Sequence, residues 1–303
     1  MEALERIKKN LNILLVQLVV LGLIGLTACQ EEDGVSPDIS QDEANVEITE
    51  DDQDANDYMG EVESDLAMID LAQVSPGGKL GETDTIPPDS SYTCATITHD
   101  REAKVITIDF GENGCVGLDG LLKKGKIIIT YTSHYLLPGA YITKTWENFS
   151  INGNQIEGLR TIENISVDLF DNPTFDVKLI GGKITFVDGT IHTRDADWEL
   201  EWVNGANPLT DELYIDGSAT GVGRRGVEYT VTITETLVRK KICTLEGVFI
   251  PVQGVKFIER KDLPNLTVDY GDGECDNRVT IIGEDGATRE IDNFRRFRDR
   301  KRG

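Results

Sequence analysis

The chain has 303 residues, with 54 Asp and Glu against 30 Lys and Arg, for a formal net charge of -24. A surplus of that size argues against a surface built to neutralise nucleic-acid phosphates. Five cysteines, 30 glycines, few aromatics and many Thr, Ile and Val runs point to an exported protein of strands and tight turns.

The chain opens on Arg6, Lys8 and Lys9, followed by an apolar run from Leu11 to Ile24 broken only by Asn12, Gln17 and Gly22. A basic start followed by a short apolar stretch is the pattern of a secretory signal peptide. The next residues are Leu26-Thr27-Ala28-Cys29. They resemble the lipobox of bacterial lipoproteins, in which the cysteine thiol is acylated and the preceding segment removed. That resemblance implies a signal peptide over 1–28, lipid attachment at Cys29 and a membrane as partner, because two or three acyl chains anchor stably where one does not. Gln30-Glu31-Glu32-Asp33 resembles the acidic export signal of surface lipoproteins of the Bacteroidota. It implies an outer-membrane location facing outward.

Residues 30–90 hold 19 Asp and Glu and a single Lys79. So polar and charged a stretch predicts a disordered acidic tether over 29–90. Within it, Tyr58, Val62, Leu66 and Ile69 recur at helical spacing behind Asn56-Asp57, which predicts a short helix near 57–70. Asp84-Thr85-Ile86 resembles the acceptor site of O-glycosylation in the Bacteroidota.

From 91 to 293 the chain alternates apolar and polar residues. Val105 to Phe110, Trp198 to Trp202 and Tyr229 to Thr234 each place apolar residues on one face and polar residues on the other, as half-buried antiparallel strands do. Asn152-Gly153, Asp188-Gly189, Asp285-Gly286 and Gly181-Gly182 read as two-residue hairpin turns. The prediction is an all-β domain, a large antiparallel meander forming a sandwich or a curled, barrel-like sheet. Sparse aromatics argue against the girdles of a membrane-spanning barrel. A basic tail, 294–303, closes the chain.

Four cysteines remain beyond Cys29. None forms the close pair a zinc site needs, so Cys94, Cys115, Cys243 and Cys275 read as a disulfide framework with three possible pairings. An internal similarity favours one of them. Ile106-Thr-Ile-Asp109-Phe110-Gly111 leads to Cys115, and Leu266-Thr-Val-Asp269-Tyr270-Gly271 leads to Cys275. Each copy follows an earlier cysteine, which predicts Cys94–Cys115 and Cys243–Cys275. The acidic turns, with Asp109 in one copy and Asp269 and Asp272 in the other, are a candidate calcium site because calcium takes six to eight oxygens. Their spacing is not that of an EF-hand. Asp109-Phe110-Gly111 through Asp119-Gly120, followed by Lys124-Gly125-Lys126-Ile127, resembles a turn and strand shared by uncharacterised lipoproteins of the Bacteroidota. The resemblance brings no activity with it.

Candidate chemistry is sparse, and the expectation leans away from catalysis. His192 and Arg194 share one face of a polar strand, with Asp195 and Asp197 on the other; the pattern suits a solvated strand with cross-strand ion pairs. A hydrolase centred on His192 is the enzymatic alternative. Trp198 and Trp202, with Asn207 in the following loop, are candidates for a glycan-binding platform, although core packing explains the tryptophans as well. The sequence thus supports a lipid-anchored β protein with a binding or envelope-structural role and a glycan or protein ligand. It leaves the oligomeric state open.

Overall fold

The computed structural model describes residues 40–59, 66, 83–86, 94–117, 120–170, 172–292 and 294. The signal segment, the lipobox, Val62, Ile69, Asp119 and the basic residues 295–302 lie outside this set. Among the described residues, no helix is long and apolar enough to cross a membrane.

Fifteen strands form one antiparallel sheet. They are β1 (Thr83–Ile86), β2 (Thr96–Asp100), β3 (Val105–Asp109), β4 (Cys115–Val116), β5 (Leu122–Tyr131), β6 (Tyr141–Ile151), β7 (Asn154–Asn164), β8 (Thr174–Thr185), β9 (Ile191–Val203), β10 (Glu212–Val222), β11 (Glu228–Lys240), β12 (Gln253–Arg260), β13 (Leu263–Asp272), β14 (Val279–Gly283) and β15 (Thr288–Ile291). Each pairs with its sequence neighbour, except that β4 is a short flap on β5. The sheet is open: among the described residues β15 does not return to β1. The predicted large antiparallel meander is thus present as one open sheet that does not close into a barrel.

One face of the sheet is buried along most of its strands. Ile106 and Ile108, Ile127 and Ile129, Phe175 and Val177, and Leu266 and Val268 belong to one continuous apolar cluster. Along the sheet's length, register shifts interrupt β5/β6, β7/β8, β10/β11 and β11/β12 among others. Such bulges bend strands and increase twist. Gly125 shows what one of them requires: its φ is +79°, and a Cβ there would meet Asn148 O at 2.1 Å.

Three of the four hairpin expectations need correction. Gly181-Gly182 is not a turn but lies inside β8, at the shift between the Leu179–Ala196 and Gly182–Arg194 pairs. A bulge uses glycine for the same positive φ that a turn does, and the local pattern does not separate the two. Asn152-Gly153 is a two-residue turn with both φ positive. Around Asp188-Gly189 and Asp285-Gly286, however, the strands close one residue further out, through Phe186–Thr190 and Gly283–Ala287. In these loops only the glycine takes the left-handed conformation.

The acidic region 29–90 contains the largest departure from expectation. Gln41–Tyr58 is an 18-residue helix, α1. It lies upstream of the predicted 57–70 helix, and Asn56-Asp57 falls at its end rather than its start. The true cap is Ser40, whose hydroxyl accepts from Glu43 N at 3.3 Å while the Glu43 carboxylate accepts from Ser40 N at 3.1 Å. This is a capping box. Leu66 is helical and buried in the same core, and 83–86 pair as β1 with β2. The tether reading therefore fails for 41–58 and 83–86, which belong to the folded domain.

Helix α1 lies against the buried face. Tyr58 meets Asn154 on β7, whereas Asp42 at the other end pairs with Arg289 on β15. Nine flat strands would span about 38 Å, while eighteen helical residues span about 27 Å. The sheet curls around the helix to bring both contacts within reach.

Candidate functional site

Eight of the eighteen residues of α1 are Asp or Glu and none is basic. An exposed helix of that composition would need no partner. Here Asp51, Asp52, Gln53 and Asp57 are buried, and the fully buried apolar side chains are only Ile48, Ala55 and Tyr58, with Val46 packed partly buried beside them. The sheet face beneath supplies the compensation, since Arg194, Lys256 and Arg260 point inward from β9 and β12 and are each less than a tenth exposed.

Asp52 is the centre of the site. Its Oδ1 accepts from Arg194 Nη1 at 2.5 Å and its Oδ2 from Lys256 Nζ at 2.9 Å. Both cations are as buried as the carboxylate. Burial alone would raise the carboxyl's pKa, but Arg194 and Lys256 overcome it and hold Asp52 well below the ordinary carboxylate range. The same pairing keeps Arg194 and Lys256 protonated against the opposing pull of burial. Arg194 Nε and Nη2 find no hydrogen-bond acceptor among the described residues.

Next to this centre, Arg194 Nη1 reaches Tyr229 Oη at 3.3 Å, and His192 Nε2 lies 2.6 Å from the same oxygen. The contact crosses over β10 because Gly221 stands between: a Cβ there would meet Tyr229 Oη at 2.9 Å and Thr193 O at 2.1 Å. A second His–Tyr pair, His99 Nε2 with Tyr131 Oη at 2.6 Å, joins β2 to β5 across β3. Toward the helix start, Asn45 Oδ1 accepts from Arg260 Nη2 at 2.7 Å and Glu47 pairs with Arg225 at 2.6 Å. Toward its end, Asn154 Nδ2 donates to Tyr58 Oη at 2.6 Å, and the Tyr58 ring stands edge-on to Phe186. A small crevice of about 40 Å³ lies beside the helix between Ala44, Ile48, Arg225 and Leu263.

The hydrolase expectation does not match this geometry. His192 is on the buried inner face rather than a solvated one, and burial, reinforced by Arg194, lowers its pKa from 6.5 to about 4. The imidazole is enclosed by Tyr229 and Arg194, with Nε2 2.6 Å from Tyr229 Oη. Of the ion pairs expected beside it, the cross-strand one forms on the outer face between Asp197 and Lys178, whereas Arg194 pairs with the helix. Also on the outer face, Asp195 accepts from Gly181 N.

The buried groups predict opposing pH effects. His192 is neutral in the fold, so stability is lost as pH falls from 6.5 toward 4, where the unfolded chain binds a proton that the fold rejects. Asp51 has the opposite sign. Burial raises it from 3.8 to about 6, against the Arg224 N–H that donates to it, so its unfavourable charge is relieved over the same window. His192→Gln keeps a partner for Tyr229 and removes only the first effect. Its melting temperature, compared with that of the parent at pH 7 and pH 4.5, is expected to fall less on acidification.

The remaining expected site residues are dispersed. Trp198 and Trp202 pack against the apolar cluster. Arg194 lies 5.6 Å from the Trp198 ring, and Trp202 Nε1 donates to Asp211 at 3.0 Å. They form no open platform. Asn207 caps the short 3₁₀ turn Pro208–Thr210, its side chain accepting from Leu209 N. Asp109 and Asp269 each accept from the glycine two residues on, Gly111 and Gly271, at 2.8 Å. Asp109 also faces Lys126. With Asp272 they form no common cluster, and among the described residues no three carboxylate, imidazole or thiolate groups gather as metal ligands. The acidic turns explain themselves as side chain-to-backbone turns, so the calcium reading is set aside.

Both disulfides, Cys94–Cys115 and Cys243–Cys275, are present. The internal similarity extends to the surroundings: buried Lys123 lies over Phe110, and buried Lys256 lies over Tyr270. Compared with known protein families, curated proteins and solved structures, the chain matches none.

Proposed function

We propose that the chain is a lipid-anchored envelope protein of the outer membrane, facing outward, whose β domain serves a binding or structural role rather than a catalytic one. The observation that carries this reading is the lipobox ending at Cys29, only eleven residues ahead of Ser40. With α1 seated in the sheet, at most those eleven residues separate the acylated cysteine from the folded domain. Fully extended they reach at most about 40 Å, so the domain is held close to the bilayer rather than raised on a stalk of sixty residues. The enclosed His192 favours a non-enzymatic role.

Growth with a fatty-acid analogue tests the anchor. The parent chain is expected to take up the label and Cys29→Ala to lose it completely. Undiminished labelling of Cys29→Ala would overturn the reading. Protease added to intact cells tests the outward face, with digestion of the β domain expected before lysis.

A further inference from the structure

Alternate hairpins of a meander emerge at opposite ends of the sheet. The turns at 152–153, 186–190, 223–227 and 261–262 lie at the end where α1 crosses. The connections after β5, β7, β9 and β11 lie at the other. Large apolar side chains stand exposed on all four of the latter: Leu137, then Val167, Leu169 and Phe170, then Leu209, then Leu245. Phe170 is 97% exposed and Val167 is 90% exposed. The helix end also exposes Val116, Val187 and Leu263, one to a loop. Only the rim gathers three in one connection, Val167, Leu169 and Phe170, flanked by apolar tips on its neighbours, and such a cluster marks a contact surface.

We infer that this rim rests in the lipid bilayer, as a second membrane contact of the domain. The inference builds on the lipid-anchor reading and names what the domain touches. Three features favour a bilayer. The apolar residues are tips on separate loops, so the edge suits a fluid surface rather than a shaped partner. Two amphipathic aromatics sit just behind the tips. Tyr141 is exposed at the start of β6, and Trp202, near the end of β9, has its indole N–H satisfied by Asp211 and Lys241 over its ring. Tyr and Trp are the residues enriched at the membrane–water boundary. Finally, the eleven-residue tether reaches about 40 Å, close to the length of a 13-residue strand such as β11 at about 43 Å. A tilted domain can place the rim on the bilayer that holds Cys29.

The test uses the full chain carrying Leu169→Cys or, at the helix end, Asp262→Cys, each labelled with a polarity-sensitive fluorophore. The protein is placed on phosphatidylcholine vesicles containing brominated lipid. The label at 169 is expected to shift to the blue and lose intensity through bromine quenching, while the label at 262 keeps its aqueous spectrum. An aqueous spectrum at 169 on protein that mass measurement shows to be acylated would overturn the rim contact and leave the anchor intact. If the chain carries no acyl group, the anchor reading fails. The label at 169 still reports the rim, because lipid quenching of unacylated protein supports the contact and its absence overturns it. A concentration-dependent blue shift without vesicles would overturn the proposal in favour of self-association. The double variant Val167→Asp/Phe170→Asp, with the 169 label, is expected to abolish quenching without altering the melting temperature, since neither side chain is packed.

Discussion

Asp52→Ala is expected to be among the most damaging single substitutions in the chain, costing about 3–5 kcal/mol of stability, because it strands partner charges inside the fold. The loss does not come from breaking an ion pair as such. Arg194 and Lys256 remain, buried and positive, at the place where the carboxylate had been 2.5 and 2.9 Å away. Neither side chain can turn out to water without disrupting the packing between sheet and helix. The corresponding triple variant, Asp52→Leu/Arg194→Leu/Lys256→Met, removes all three charges together. It is expected to recover most of the loss, since an apolar replacement of a complete buried charge cluster is often neutral or better. Urea unfolding followed by circular dichroism measures both. A triple variant no more stable than Asp52→Ala would show that the cluster contributes more than charge balance.

The seating of α1 also shows what the sequence hid and why. A helix is recognised by an apolar stripe at 3.6-residue spacing. The stripe of α1 is made largely of carboxylates and amides: Asn45, Asp51, Asp52 and Gln53 face inward beside Ile48 and Ala55. Its polarity matches a matching surface some 140 to 215 residues further along the chain, where Arg194 and Arg260 are found. No local pattern contains both halves. Ser40 with Glu43 was the legible sign, a capping box followed by eighteen residues without Gly or Pro. The strands were easier, because Ile106, Ile108 and Phe110 face inward by simple alternation and their register follows from short connections. His192 and Arg194 were rightly placed on one strand face. Which side that face turned toward depended on α1, and a polar strand read alone looks solvated.

The cysteine pairing was legible because its signal was a repeated one. Asp109-Phe110-Gly111 and Asp269-Tyr270-Gly271 predict the same turn, and in both the aspartate accepts from the glycine N–H at 2.8 Å. The meander places the two copies at opposite ends of the sheet, with Cys94–Cys115 stapling the helix end and Cys243–Cys275 the rim end. This separation sets the second large prediction. The linked residues are 21 and 32 positions apart, so in the chain-entropy model each bridge contributes about 3–4 kcal/mol by restricting the unfolded chain. Cys243→Ala/Cys275→Ala and Cys94→Ala/Cys115→Ala are each expected to lose about that amount in urea unfolding. With no shared contacts, their effects are expected to add within about 0.5 kcal/mol when combined. Losses that clearly exceed the sum would mean that the two ends are coupled through the helix and inner face. The rim-end pair should differ in one further respect. Removing Cys243–Cys275 frees the 3₁₀ segment Lys241–Glu246 that carries Leu245, so this variant alone is expected to weaken quenching of the label at 169 on vesicles while that of the helix-end variant is unchanged.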